Sequence, residues 1–231
     1  MKNRKGKGFI VMGLLLIAAA FLLVLYNMRE ENQARHSAEQ ALKKLEAYFP
    51  AQESKDGTDA SGTDGTDSKK GSNTAGEAGK TVSAKDREIP DYILNPHMEM
   101  PVQTIDGVDY IGKLEIPAYG LELPVIADWS YPMLKIAPCR YFGSVYTNNM
   151  IIAAHNFVSH FGNLKYLAQG DVVYFTDMDG NRFSYEVAGC ETLQPMAERE
   201  MKSGSWDLTL FTCTIGGASR VTVRCVRSKT S

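Results

Sequence analysis

The chain has 231 residues, enough for one domain of ordinary size plus extensions. Its 25 Lys and Arg against 27 Asp and Glu leave a net charge of -2, and the basic residues are scattered apart from one N-terminal cluster. That balance excludes the dense basic face of a nucleic-acid binder.

Lys2, Arg4, Lys5 and Lys7 form the cluster, and an uncharged run from Gly8 to Tyr26 follows. At about 1.5 Å of rise per residue, roughly 20 helical residues cross an apolar core of about 30 Å. The run therefore predicts a transmembrane signal-anchor at 8–26. Residues 1–7 are placed in the cytoplasm, and everything after the anchor outside. A cleaved signal peptide has an apolar region of about 7–15 residues ending at a small-residue site. This run is longer, and Leu22 to Met28 offers no such site, so the anchor is expected to stay.

Residues 27–50 read as a helix. Ala34, Ala38, Ala41, Leu42, Leu45 and Phe49 fall near a 3.6-residue period, and Glu39 and Lys43 form an i,i+4 pair. The reading adopted is a solvated helical stalk or a short coiled coil. Residues 51–88 are mostly Gly, Ser, Thr, Asp and Lys, with loose Gly-Thr-Asp repeats. They cannot bury enough surface to offset their ordering entropy, and are expected to be a disordered linker. The Asp-Gly steps lack the distal Glu and flanking helices of a calcium loop.

The folded domain is placed at 89–231. Tyr110 to Ile116 alternates and stops at Pro117, and Leu121 to Ile126 follows. Asn149 to Ala154 is a short apolar run. Asp171 to Thr176 and Arg182 to Val187 flank the turn signal Asp177-Met178-Asp179-Gly180 and pair as a hairpin. Thr209 to Thr212 and Arg220 to Val226 complete the set. Many short strands with few helix-length patterns predict a mostly β fold, a barrel or a sandwich. Cys139, Cys190, Cys213 and Cys225 allow three full pairings in an oxidising location, but lack the density of a disulfide scaffold. There is no CxxC, and the four histidines show no ligand spacing, so neither a metal nor a cofactor is expected.

Three residue types then suggest one chemistry. Cys213 ends a strand and Arg220 opens the next; across a hairpin they would stand side by side. Alternation puts Arg220, Thr222 and Arg224 on one face and Val221, Val223 and Cys225 on the other. A reactive thiol needs a neighbouring His or Arg to favour its thiolate. His155, after the apolar run, is the candidate acid and base, and Arg220 the candidate donor to a developing oxyanion. Each has a plainer reading: a buried apolar cysteine, a structural histidine, a solvated strand-end arginine. His160 lies beyond the strand end and Arg224 further along the last strand. His155 and Arg220 are preferred to them.

Thr209-Leu210-Phe211-Thr212-Cys213, with Arg220 opening the next strand, resembles the TLxTC…R signature of the sortases. Asn149 to Asn156 resembles the segment carrying their histidine, and Gly112-Lys113-Leu114-Glu115-Ile116-Pro117 their G-x-L-x-I-P strand. The three come in family order. The resemblance implies an eight-stranded sortase-type β-barrel with short helices as the catalytic domain of a Gram-positive cysteine transpeptidase. It implies Cys213 as nucleophile, His155 as acid/base, Arg220 as the group binding substrate or oxyanion, and Thr212 and Asn156 as substrate-binding. The implied substrates are surface proteins with an LPxTG-like sorting signal. Their acyl group passes through a thioacyl-enzyme to an amine, either a peptidoglycan precursor or a pilin lysine. Ala154-His155-Asn156 is similar to class B and the short final hairpin to classes C and D, so the class stays open. The stretch 90–107 reads as an N-terminal extension rather than a lid, and 189–206 as the loop that sets specificity. Two other functions stay open: an endopeptidase releasing product to water, and a non-catalytic wall-binding module with a structural or disulfide-bonded Cys213.

Overall fold

Alternation of buried and exposed side chains, interrupted by turns, sets the architecture of the computed structural model, which describes residues 4–49 and 89–228. The expected linker at 51–88 lies outside the described residues. A long helix, α1 (Arg4–Glu46), is followed by α2 (Asp91–Leu94), β1 (Gln103–Ile105), β2 (Val108–Ile116) and β3 (Leu121–Ile126). Then come α3 (Tyr131–Leu134), β4 (Cys139–Phe142), β5 (Met150–Ala154), β6 (Val172–Asp177), β7 (Arg182–Leu193), α4 (Glu198–Lys202), β8 (Leu208–Cys213) and β9 (Arg220–Arg227).

The strands pair in the order β1-β2-β3-β4-β5-β8-β9-β7-β6, and β6 returns to pair with β2. The closed ring is therefore the eight-stranded barrel β2 to β9, with β1 as a short hairpin arm on β2. Strand β5 runs parallel to β8, and Ile126 of β3 meets Cys139 of β4 in a parallel contact; the other pairings are antiparallel. The interior is packed with Ile111, Leu114, Phe175, Tyr185, Leu208 and Leu210, among others.

Closure depends on Gly112, the glycine of the G-x-L-x-I-P strand. It sits at φ +150°, and a Cβ there would overlap the Thr176 carbonyl oxygen. β2 pairs with β6 from this residue, opposite Asp177, next to an irregularity in its pairing with β3. Buried Asp177 then shapes the β6–β7 turn. It accepts from the Asp179 and Asn181 amides at 3.0 and 2.9 Å and from the Tyr146 hydroxyl at 2.7 Å.

The solvated-stalk expectation is corrected. The C-terminal half of α1 packs on the barrel, with Ala34, Ala38, Ala41 and Leu45 buried. Ala41 and Leu45 share a second apolar cluster with Ile105, Tyr110, Ile126 and Cys139, and Phe49 packs against it. Three alanines in four stripe positions let the helix backbone approach the barrel closely, and Lys44 pairs with Asp106. The N-terminal half, by contrast, exposes Phe9 to Tyr26 as an apolar rod, long enough to cross a membrane. The stretch 90–107 also packs on the barrel: Tyr92 stacks on Tyr146, with ring centroids 4.8 Å apart.

Replacing Gly112 by Ala forces β2 away from β6. The expected outcome is a loss of about 3 kcal/mol of stability, read as a thermal midpoint lower by roughly 10 °C. An unchanged midpoint would show that the β2–β6 contact does not constrain this position.

Candidate active site

Register alone assembles the candidate residues. In the parallel pair, Ala154 of β5 stands opposite Thr212 of β8. His155 and Cys213, each one residue further, therefore emerge together at the same barrel end. In the antiparallel pair, Cys213 stands opposite Arg220 of β9. Leu208 and Leu210 point into the barrel with Val223 and Cys225. The other parity places Thr209, Phe211 and Cys213 on the outer face, opposite Arg224, Thr222 and Arg220. The turn joining β8 to β9 is kept short by Gly216 and Gly217, at φ +80° and +73°, where a Cβ would be strained. Thr214 closes it, its Oγ1 accepting from the Ser219 amide at 3.0 Å. The Arg220 Nη1 donates to the Gly217 and Ser219 carbonyls, both at 3.2 Å, which ties the guanidinium back toward this turn.

Cys213, His155 and Arg220, all half-buried, line one groove of about 330 Å3. One wall is aromatic: Trp129, Tyr141 and Phe211 follow one another at 5.4 and 5.3 Å between centroids. Residues 194–198 and Met201, between β7 and β8, also line it, within the 189–206 stretch singled out by sequence. No residue of 90–107 is among the lining residues.

Arg224 has a different post. It is buried, donating to Glu191 Oε1 at 2.7 Å, to the Glu200 and Met201 carbonyls at 2.8 Å each, and to Thr209 Oγ1 at 3.0 Å. It fastens α4, and with it Met201, to the barrel. Its donors are committed, so Arg220 is the arginine beside Cys213. Thr212 and Asn156 do not line the groove. Thr212 is buried on the inward parity, where its hydroxyl donates to the Ala154 carbonyl at 2.8 Å and fastens β8 to β5.

All four cysteines are free thiols. Burial pushes Cys139 and Cys225 up to about 12, which makes both poor nucleophiles. Cys190 is raised by desolvation and by the charge of Glu191. Cys213 alone of the four lies in the groove with a histidine and an arginine. Desolvation holds the His155 imidazole below its usual value; the charge of Glu30, on α1, opposes this, and that of Lys135 adds to it. No cluster of metal-ligating side chains occurs among the described residues.

His160 lies outside the groove and is 1% exposed. Burial pushes it down to about 4. Its folded value is thus below its unfolded one, and the unfolded chain takes up the proton first. Stability is expected to fall by about 3 kcal/mol as pH drops from about 6.5 to 4. His160→Phe removes that part of the slope, measured as thermal midpoints of both proteins across this range. Parallel curves would contradict the assignment.

Residues 114–228 match the family model of the Sortase domain. Over 121 residues the chain is 27% identical to Sortase A of Bacillus anthracis, a match covering 50% of this chain and 57% of that relative. The chain thus spans little more than half the length of this curated relative. Similar solved structures include sortase C1 from Streptococcus suis, 25% identical with a TM-score of 0.46, covering 53% of this chain and 74% of that one. Sortase C from Clostridium perfringens is 26% identical with a TM-score of 0.45, covering 62% and 77%. The chain belongs to the sortase family, with its sortase domain at residues 114–228.

Proposed function

We propose that the chain is a membrane-anchored cysteine transpeptidase. Its substrates are surface proteins with an LPxTG-like sorting signal, and its acceptor is an amine, either a peptidoglycan precursor or a pilin lysine. The observation that carries this reading is the convergence of three adjacent strand ends, which brings Cys213, His155 and Arg220 into one groove.

The Cys213 thiolate attacks the threonine carbonyl of the signal, and Arg220 donates to the oxyanion that forms. Collapse breaks the C–N bond, and protonated His155 gives its proton to the leaving amine. The acyl group is then a thioester on Cys213. The acceptor amine attacks that carbonyl and loses a proton to His155, and the thiolate leaves, restoring the starting state. The aromatic wall accepts the apolar part of the signal. The apolar half of α1 spans the membrane with the N-terminus in the cytoplasm, which places the groove outside the cell.

Intact-mass measurement of the full chain in detergent micelles, incubated with LPxTG-type peptides, is expected to show one acyl adduct on Cys213. Added amine converts the adduct to transpeptidation product, whereas conversion to free acid alone would favour the endopeptidase. Cys213→Ala abolishes the adduct; Cys139→Ala and Cys190→Ala keep it. Arg220→Lys lowers acyl transfer by about 10²–10³-fold. An unreactive Cys213 in a folded protein would leave the non-catalytic binding module as the remaining reading.

A further inference from the structure

His155 borders a second cavity, opening toward α1. This space of about 160 Å3 is lined by Glu30, Gln33, Lys135, His155 and Phe157. Glu30 stands one turn ahead of Ala34, so it heads the stripe of α1 that is buried against the barrel. The helix cannot slide or rotate without exposing that stripe. The carboxylate is also held locally. Tyr26 donates its hydroxyl to Glu30 Oε1 at 2.8 Å, and Lys135 Nζ lies 3.6 Å from the same oxygen. Phe157 packs against the imidazole, with ring centroids 5.0 Å apart.

We propose that Glu30 is a positioning residue for His155: its carboxylate, carried by the docked α1 to the cavity that His155 borders, serves as the counter-charge to the imidazolium. The inference rests on the acid/base role proposed above for His155. Its physical basis is simple. A half-buried imidazolium needs a counter-charge, and an opposite charge within about 4–6 Å supplies one. The ionisable groups around His155 are Cys213, Arg220, Glu198, Tyr131 and Tyr141 lining the groove, Glu30 and Lys135 lining the second cavity, and buried His160 nearby. Of these, Glu30 is the carboxylate whose charge acts on the imidazole, against burial and Lys135. Glu30 lies one helical turn beyond Tyr26, the end of the uncharged run. The membrane-spanning rod and the charge behind His155 are therefore parts of one helix.

The test follows the imidazole titration of His155 in the full chain, histidine-labelled with nitrogen-15, in detergent micelles. His155→Gln assigns the resonance. Glu30→Gln is expected to lower the midpoint by about half to one pH unit, while Glu30→Asp, which keeps the charge, stays near the unmodified chain. No fall in Glu30→Gln, or an equal fall in both variants, overturns the proposal, because the charge would then not matter. The titration needs no turnover. If Cys213→Ala still transferred acyl groups, the proposed function would fail while the Glu30 result stood on its own.

Discussion

The parallel pairing of β5 with β8 is the constraint on which the site depends. Parallel neighbours cannot be joined by a tight turn, so the chain leaves β5, builds the β6–β7 hairpin on the far side of the barrel, and returns. The return is held in one register. Ile152 faces Leu210 and Ala154 faces Thr212, and the Thr212 hydroxyl locks onto the Ala154 carbonyl. A slip of one residue would turn Cys213 inward and carry Leu208 and Leu210 out of the core. The apolar packing of the barrel thereby fixes the position of a polar site on its surface. Strand β9 adds Arg220 by the same logic, since Val223 and Cys225 must face inward.

Two further contacts shape the surroundings of the site. Arg224 gathers the Glu200 and Met201 carbonyls, Glu191 and Thr209, so the segment between β7 and β8 stands as a wall. Removing its guanidinium would strand buried acceptors, a cost well above that of a surface ion pair. On the other side α1 lies along the barrel through its alanine stripe and brings Glu30 to the cavity behind His155. The histidine is thus bordered by the groove on one side and by the N-terminal helix on the other.

Much of this was legible in the sequence. Seven strands are readable as short runs bounded by turn signals, some alternating and β5 continuously apolar, and the opposition of Cys213 to Arg220 follows from the short hairpin between them. Gly112 is legible only as part of a motif; in the fold a side chain there would overlap β6. Strands β1 and β4 were not readable. One has three residues, and Cys139 to Phe142 lacks an apolar alternation. Thr212 is next to Cys213 in sequence, but period-two parity turns it inward. Phe211 shares the parity of Cys213 and could have been found that way. Trp129 sits in an irregular connection whose path only the fold defines. The alanine stripe of α1 reads the same whether it meets a second helix or a barrel, and that ambiguity hid both the docking and Glu30.

Under the proposed function, the strand register makes Cys213, His155 and Arg220 a single acyl-transfer site. The most direct measurement is a crystal structure of the chain trapped with a thiol-reactive analogue of the sorting signal. A covalent bond to Cys213 Sγ is expected. The oxygen standing for the oxyanion should lie within about 3.2 Å of an Arg220 nitrogen, with His155 on the leaving-group side. A peptide bonded to another cysteine, or an oxyanion held by Arg224 with Arg220 turned away, would contradict it.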